Sequence, residues 1–414
     1  MAITILIIGL LVFFAHFLSL LFRKTSIPDV LVLMLVGILI GPVFGIVTPD
    51  DFGRIGSLIA TIALVVILFE GGTALDLDVL GKSLGTTGLL SIACFVLSAL
   101  IVALIGMLVL GLALLPAAML GVTLGGSTSA VVIPMVTALH LSEKPTTVLV
   151  LESALTDVLC IVGVFALLQI HTQGGVEPGK LVGGILASLI FAAVIGVFGG
   201  IGWLLVLGKV RDFPNTISST LAYVFIVYGL TEMLGFSGAI ASLALGISLT
   251  NFEKFGLYRI PNVDQNLVPL NETDLMFYRE AVFLLKTYFF VYLGVSIYFG
   301  EAHLAIAAIA MVLMMYAMRL GLVRLIFQDD SYSLRDTAIT SMMAPKGLAA
   351  AVLATLPLAK GVIGGEVIRD VAFMAVLVSI TFTAMLVMIY PNRYVQRLYA
   401  LTLRKPLPIE SAGS

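Results

Sequence analysis

Two stretches decide the fold: residues 112–139, LALLPAAMLGVTLGGSTSAVVIPMVTAL, and residues 337–357, TAITSMMAPKGLAAAVLATLP. Each is long and apolar enough for a membrane helix, and each is interrupted near its middle. Gly125, Gly126 and a run of hydroxyl residues break the first, and Pro345, Lys346 and Gly347 break the second. Broken backbone at membrane depth is tolerated only where it is buried in protein or lines an aqueous cavity. The stretches therefore predict a helical membrane protein with a polar site at its breaks.

The composition of the whole chain agrees with a membrane environment. Of 414 residues, 60% are hydrophobic and only 11% are charged, and the mean hydropathy is +1.16. A soluble chain of this length exposes far more charge, so the bilayer must solvate most of it. The sequence has no phosphate-binding loop, no metal-spaced His/Cys cluster and no basic run. We therefore expect one membrane domain over residues 1–414, not an enzyme, with no resident cofactor and no nucleic-acid partner.

The apolar segments predict an all-α, polytopic protein with about thirteen transmembrane helices. They fall at about 2–22, 29–47, 55–71, 86–110, 113–138, 146–170, 181–208, 215–233, 236–249, 279–299, 303–327, 335–357 and 367–390. Residues 391–414 are a short cytoplasmic tail. With the C-terminus in the cytoplasm, most of the 22 Lys and Arg residues fall on the inner side, as the positive-inside rule requires. The predicted orientation is N-out and C-in.

The two interrupted helices occupy corresponding positions. They are the fifth and the twelfth spans, seven helices apart, so an inverted repeat of spans 1–6 and 8–13 makes them equivalent. Interrupted segments at equivalent points of two halves are the best sequence pointer to a transporter's binding site. We expect two inverted repeats whose broken helices, 5 and 12, cross at that site.

Five ionisable side chains stand out within the predicted spans: Glu152, Asp157, Lys286, Arg319 and Lys346. Inserting a charged side chain at the centre of a membrane helix costs on the order of 2.5–3.5 kcal/mol, so we expect each of them to have a structural or functional role. At about 1.5 Å per residue from the cytoplasmic end, Asp157 is about 18 Å deep and Lys346 about 16 Å, level with Ser127 at the first break. Glu152 and Arg319 are shallower, at about 10 and 12 Å.

The two carboxylates of span six point in different directions. Asp157 shares a helix face with Ser153, whereas Glu152 lies about 140° away from Asp157 around the helix axis. Glu152 is therefore predicted to form a structural ion pair, and Arg319 is preferred over Lys286 because its fork suits a buried carboxylate. Lys346 is predicted to compensate the charge of the helix ends at the breaks.

Asp157 is the predicted ion-binding residue. Desolvation favours its protonated form and a bound cation favours its ionised form, so proton and cation compete for one carboxylate. Hydroxyl oxygens are hard ligands for such a cation, Na⁺ or K⁺. The predicted hydroxyl ligands are Ser153, Thr156, Ser127, Thr128 and Ser129.

Several motifs now make a family resemblance specific. Val30–Pro42 (VLVLMLVGILIGP) after Ile27-Pro28, and LFEGGTALDLDVL from Leu68, resemble the opening helices of the monovalent cation/proton antiporter superfamily. LESALTDVL from Leu151 resembles the sixth-helix signature of its NhaP-type sodium/proton exchangers. FFVYLG from Phe289 and APKGLAAAVLA from Ala344 resemble later helices. The resemblance covers nearly the whole chain.

The resemblance implies a six-helix core and a separate dimerisation domain, with elevator-like alternating access in a homodimer. The core would comprise spans at about 86–170 and 303–390, and the dimerisation part spans at about 2–71 and 215–299. It also implies a prokaryotic plasma-membrane location and roles for Asp157 as the transport aspartate and Glu152 as the partner of Arg319.

Two departures from the family pattern leave the choice of Na⁺ or K⁺ open. The family commonly has Asn-Asp where this chain has Thr156-Asp157. It often has Thr-Asp-Pro where this chain has Thr128-Ser129-Ala130.

The expected activity is a secondary antiport of Na⁺ for H⁺, and a single exchanging carboxylate predicts electroneutral, one-for-one exchange. The alternatives are a K⁺/H⁺ antiporter or the membrane part of a ligand-gated K⁺ efflux system. A symporter for an organic anion is disfavoured, because Asp157 and Lys346 are charged residues at the breaks.

Overall fold

The computed structural model describes residues 9–18, 20, 28–73, 77–78, 85–173, 178–211, 216–254, 270–328 and 332–406. Within these ranges the chain is helical, without a strand. The helices are α1 (Gly9–Leu18), α2 (Asp29–Ile38), α3 (Pro49–Thr73), α4 (Thr86–Leu108), α5 (Leu114–Thr123), α6 (Ser129–Ala138), α7 (Glu143–Gln173), α8 (Pro178–Val210), α9 (Ser219–Met233), α10 (Gly238–Thr250), α11 (Glu272–Ser296), α12 (Ala302–Ile326), α13 (Leu334–Met342), α14 (Leu348–Ala359), α15 (Gly365–Ile389) and α16 (Arg393–Leu403).

The helices follow the predicted apolar segments. Segments five and twelve are each divided into two helices, α5 with α6 and α13 with α14. Segment two is α2, which continues into a π-helical turn at Leu39–Val43 that contains Pro42. Within the described ranges, five helices are long and apolar enough to cross a bilayer: Thr87–Leu108, Glu143–Thr172, Ile190–Val210, Ala302–Ile326 and Gly365–Ile389. The prediction of an all-helical, multi-pass membrane protein is confirmed at this level.

The segment predicted to be a short cytoplasmic tail, residues 391–414, is partly helical in the described residues. It contains an eleven-residue helix, α16, which begins after an Asn392 cap whose side chain accepts a hydrogen bond from the Tyr394 amide. This helix packs against α12 and α13. Its apolar residues fall on one face and polar residues cover the rest, so the helix as a whole is not apolar enough to resemble a membrane span.

The chain divides into two compact units. The first comprises Met1–Pro49, Ser83–Cys160 and Phe290–Ser414, and the second comprises Asp50–Lys82 and Ile161–Phe289. Both broken helices belong to the first unit. The predicted split into transport core and dimerisation parts concerns movement and assembly, and it stays a prediction.

The second unit is built around closely packed helices. Trp203 of α8 stacks on Tyr223 at 4.7 Å between ring centroids, and Phe69 of α3 meets Tyr278 edge-on at 5.4 Å. The short α10 is buried along almost its whole length and packs mainly against α8. Small residues allow this approach, because apolar side chains gain little from association in lipid and close backbone packing must stabilise the contact instead.

Glycine makes two of these crossings possible. In the second unit α3 meets α10 at Gly72 and Gly246: a methyl group on Gly72 would collide with the Leu243 carbonyl oxygen, and one on Gly246 with that of Phe69. In the first unit Gly37 of α2 meets Gly294 of α11 in the same way. At these positions any side chain forces the backbones apart.

We therefore expect Gly72→Ala to lower the free energy of unfolding by about 1–3 kcal/mol, the usual range for overpacking. The neighbouring Gly71→Ala is the matched control, because a methyl group there meets no atom within 4 Å. Alanine is the better helix former, so this control should be neutral or slightly stabilising. Unfolding by sodium dodecyl sulfate in mixed micelles measures both variants, and equal losses would contradict the crossing.

Candidate ion-binding site

The two helix breaks contact each other. The first lies between the end of α5 at Thr123 and the start of α6 at Ser129, and the second between the end of α13 at Met342 and the start of α14 at Leu348. The Thr128 amide donates a hydrogen bond to the Pro345 carbonyl oxygen at 2.9 Å. This bond joins a backbone donor of one broken segment to a backbone acceptor of the other, so each break supplies a hydrogen-bond partner that the other lacks within its own helix.

Gly347 is required where the two segments touch. A methyl group at this position would collide with the Thr128 side chain. A hydroxyl residue and a glycine thus form one packed contact at the meeting of the breaks.

Lys346 reaches from the second break into the first. Its side chain is 2% exposed, and its ammonium Nζ donates to the Gly126 carbonyl oxygen at 2.8 Å. Its backbone amide donates to Ser379 Oγ on α15 at 2.9 Å. A helix end leaves carbonyl oxygens without intrahelical partners and carries partial negative charge. The ammonium is placed against such a carbonyl, which is the geometry that charge compensation requires.

Glu152 and Arg319 form a buried ion pair with two hydrogen bonds. Arg319 Nη2 donates to Glu152 Oε2 at 2.7 Å, and Nη1 donates to Oε1. The two residues are 1% and 3% exposed. Arg319 Nε also donates to the Thr340 carbonyl oxygen at 3.0 Å, so the pair links α7, α12 and α13. Lys286, the other partner considered from sequence, has its Nζ 5.9 Å from the centroid of the Phe283 ring.

Asp157 lies on α7, one turn beyond Ser153, and is partly exposed. The neighbouring Thr156 Oγ1 accepts a hydrogen bond from the Ser127 amide at 3.1 Å and donates to the Glu152 carbonyl oxygen at 2.9 Å. Thr156 therefore holds the first break against the helix that carries Asp157.

The other predicted hydroxyl ligands differ in where they lie and in which hydrogen bonds they make. Ser153 is buried, and its hydroxyl donates to the Val150 carbonyl oxygen at 2.9 Å. Ser127 and Thr128 are buried in the first break. Ser129 is the first residue of α6, and its side chain lies outside the described part of the structure. Because the Ser153 and Thr156 hydroxyls already donate to carbonyls, only their oxygen lone pairs are available to a cation.

A small cavity lies among these groups. Its lining includes Ser127, Thr156, Lys346 and the Glu152–Arg319 pair. About 10 Å³ is open to the centre of a water-sized sphere, roughly room for one water molecule. Five of the predicted site residues thus line one small cavity. Asp157 follows Thr156 along the helix and is not among the lining residues.

A network of hydroxyl groups that the sequence reasoning missed supports the second break. Tyr316 of α12 donates to the Ser379 carbonyl oxygen at 3.0 Å and also hydrogen-bonds Thr383. Ser379 in turn accepts the Lys346 amide. The available signal was a Tyr in the middle of span eleven, together with hydroxyl residues four apart on span thirteen, which share one helix face.

Comparison with known proteins identifies the family. The family described as "Sodium/hydrogen exchanger, transmembrane" matches residues 9–389. The chain belongs to the sodium/hydrogen exchanger family. This confirms the resemblance seen in the sequence motifs.

Relatives of this chain include named antiporters. The chain is 27% identical over 303 residues to the Na⁺/H⁺ antiporter NhaS2 of Synechocystis sp., an alignment covering 72% of this chain and 53% of NhaS2. It is 26% identical over 403 residues to the K⁺/H⁺ antiporter NhaP2 of Shewanella sp. (strain MR-4), covering 94% of this chain and 66% of NhaP2. The chain thus spans about half to two thirds of these relatives.

The fold of this chain also resembles a solved structure. The sodium proton antiporter MjNhaP1 from Methanocaldococcus jannaschii at pH 8 superposes with a TM-score of 0.70. The match covers 93% of this chain and 99% of MjNhaP1, at 21% sequence identity. The two proteins therefore share a fold.

The buried ion pair gives a stability prediction. We expect Arg319→Ala to lower the free energy of unfolding by about 3–5 kcal/mol, because it leaves the Glu152 carboxylate buried without its partner. Lys254→Ala is the matched control: Lys254 pairs with Asp78 at 2.9 Å, but both side chains are partly exposed, and such a pair contributes at most about 1 kcal/mol. Unfolding in mixed micelles compares the two, and a similar loss in both would refute a structural role for the pair.

Proposed function

We propose that this exchanger is a secondary antiporter that exchanges a monovalent cation for H⁺ by alternating access. The observation that carries the proposal is the meeting of two broken helices beside α7, where Lys346 contacts the Gly126 carbonyl and Thr128 contacts Pro345. Interrupted helices that meet within a family of exchangers are where substrate and coupling ions bind. No covalent chemistry is needed, since the same site only has to hold either ion in turn.

Asp157 is the proposed exchanging group. Glu152 accepts hydrogen bonds from both terminal guanidinium nitrogens of Arg319, so its carboxylate is engaged in the ion pair. Asp157, on the same helix but another face, takes a proton in one half of the cycle and the cation in the other. Thr156, Ser153, Ser127, Thr128 and Ser129 are the proposed sources of further oxygen ligands, the hard donors that Na⁺ and K⁺ prefer.

Lys346 and the ion pair have supporting roles in this proposal. Lys346 balances the carbonyl ends at the breaks, and Glu152 with Arg319 fixes α7 against α12 and α13. If Lys346 keeps its proton throughout, the site carries the same net charge with Asp157 protonated as with Asp157 and a monovalent cation. Transport is then one-for-one and electroneutral.

The proposed membrane arrangement extends these roles to the whole chain. Thirteen spans run N-out and C-in, in two inverted repeats whose broken helices cross at the site. A core of spans at about 86–170 and 303–390 moves against a dimerisation part in a homodimer of the prokaryotic plasma membrane. The supports are the bias of basic residues, the fold shared with MjNhaP1 and the paired breaks.

Na⁺ is the preferred cation, and K⁺ is the second candidate. NhaS2 is named as a Na⁺/H⁺ antiporter and NhaP2 as a K⁺/H⁺ antiporter, so relatives point both ways. Ser129-Ala130 stands where many family members have an acidic residue, and fewer fixed charges favour the larger, more weakly hydrated ion. This local feature keeps K⁺ in consideration.

We expect Asp157→Asn to abolish exchange, because an amide neither takes up a proton near neutral pH nor offers the charge that holds the cation. Collapse of an imposed pH gradient in inverted vesicles measures this, with Na⁺, K⁺ and Li⁺ compared. Asp78→Asn, which removes a partly exposed carboxylate paired with Lys254, is the control and should retain the wild-type rate. Transport by a folded Asp157→Asn protein would remove Asp157 from its proposed role.

We also expect the exchange rate at saturating cation to be independent of membrane potential. Proteoliposomes with a potassium-selective ionophore set the potential, and a pH-sensitive dye reports proton movement. A rate that rises steeply with potential would show net charge transfer, and it would mean that a second group, with Lys346 the first candidate, changes its protonation during the cycle.

A further inference from the structure

The small cavity at the helix breaks is also lined by Ser98 of α4, which neither the ion pair nor the proposed ion site uses. Ser98 is 4% exposed. Its hydroxyl makes no hydrogen bond to any residue in the part of the chain that the structure describes. A buried hydroxyl without a partner loses its hydration and gains nothing in return, so this one needs an explanation.

Other buried serines of these helices bond to their own backbone. Ser91, about two turns earlier on α4, donates to the Thr87 carbonyl oxygen at 2.7 Å. Ser153 on α7 donates to the Val150 carbonyl oxygen at 2.9 Å. Such a bond to the preceding turn is how a serine inside a helix commonly satisfies its hydroxyl. Ser98 does not make it, so its hydroxyl is available to the cavity that it lines.

The ammonium group of Lys346 has unused donors at the same cavity. An ammonium carries three N–H donors. Within the described residues only one acceptor is present for them, the Gly126 carbonyl oxygen at 2.8 Å. Because the side chain is 2% exposed, bulk water does not reach the other two donors. A buried charge with unsatisfied donors is strongly unfavourable, so an acceptor inside the cavity would stabilise it.

Ser127, in the first break, is a third polar group of this kind. It is 7% exposed and lines the cavity. Its amide donates to Thr156, whereas its hydroxyl has no hydrogen-bond partner among the residues described. The cavity has about 10 Å³ open to the centre of a water-sized sphere, which is close to the space that one buried water needs. Such a water also needs two to four polar partners, and three are present.

Charge and size favour water over an ion in this cavity. Two cationic side chains, Lys346 and Arg319, line it, and the one carboxylate in its described lining, Glu152, is already paired with Arg319. A cation there would therefore be repelled. A chloride ion is larger than the single water-sized position that the cavity offers. A neutral water can instead accept from the ammonium and bond to both hydroxyls.

We infer that this cavity binds one water molecule held by Ser98, Ser127 and Lys346. Ser98 is thereby a positioning residue, which acts through the water to keep Lys346 protonated at the helix breaks. The role in exchange rests on the proposed function, in which Lys346 keeps its proton throughout the cycle. The binding of the water does not depend on it.

The neighbours of Lys346 leave this role to the water. The titratable groups around its ammonium are Glu152 and Cys160 of α7, Arg319 of α12 and Cys94 of α4. Buried thiols are neutral, and the charge of Glu152 is balanced by Arg319. The exchanging Asp157, also on α7, is neutral in half of the proposed cycle. A water that accepts from the ammonium stabilises its charge in both halves.

The water itself is tested on the full chain in lipid nanodiscs, by electron cryo-microscopy at a resolution that shows ordered water. One density should lie in the cavity, at about 2.7–3.2 Å from Lys346 Nζ and from Ser98 Oγ. A map that shows ordered water in other buried places but none here would overturn the inference.

Melting temperatures give a second test that does not involve transport. Ser98→Ala is compared with Ser91→Ala, which removes a buried hydroxyl of the same helix that does not line the cavity. Deleting a hydroxyl that holds a water should lower the melting temperature by about 1–3 °C relative to this control. Deleting one that has no partner relieves an unsatisfied group instead. An equal or higher melting temperature for Ser98→Ala would therefore contradict the site.

The positioning role is tested by the pH profile of exchange. In Ser98→Ala the alkaline limb should move to lower pH by about one unit, because an ammonium that has lost a hydrogen-bonded neighbour gives up its proton more readily. Ser91→Ala should keep the wild-type profile. An unshifted limb in Ser98→Ala would overturn the role of Ser98 and leave antiport itself intact. Failure of the proposed function is recognised separately, as exchange by Asp157→Asn.

Discussion

The contact between the two helix breaks depends on one constraint: backbone amide and carbonyl groups at membrane depth need hydrogen-bond partners. Breaking two helices releases amide and carbonyl groups that water cannot reach, each at a cost of several kcal/mol. The structure meets this cost by bringing the breaks together, so that Thr128 pairs with Pro345 and Lys346 with Gly126. A polar site in an apolar protein follows, because the groups that satisfy the breaks are polar themselves.

Helix periodicity separates the two carboxylates of α7. Glu152 faces Arg319 and is held by a two-pronged hydrogen-bonded pair, the strongest form that a guanidinium and a carboxylate make. Its pair is also tied to the Thr340 carbonyl and therefore to the half-helix before the second break. Asp157 lies on another face of the helix and is the exchanging group in the proposed mechanism. One helix thus carries a structural acid and an exchanging acid.

Outside the site, two close helix crossings depend on glycine. Gly72 with Gly246 in one unit, and Gly37 with Gly294 in the other, let helix backbones touch. In lipid, a leucine gains little by moving from an acyl chain to a neighbouring helix, so close backbone approach provides the specificity. The large apolar residues on the outer surface, such as Leu325 and Leu398, then face the hydrocarbon or its boundary.

The sequence by itself determined the helical segments, the two breaks and the charged residues that need partners. These are local properties, since hydropathy, glycine and proline act on their own segment of the chain. It also separated Glu152 from Asp157, because helix periodicity is local too. The amphipathic α16 escaped notice, since its apolar residues are too few to mark a span.

Only the tertiary structure decided which groups meet. It placed Lys346 on the Gly126 carbonyl 220 residues away, gave Arg319 two hydrogen bonds to Glu152, and set Tyr316 and Ser379 beneath the second break. It also brought Ser98 to the cavity that Lys346 lines. Such contacts join residues far apart in the chain, and many pairings satisfy the same charges. The choice among them depends on how all the helices pack at once, which no single segment encodes.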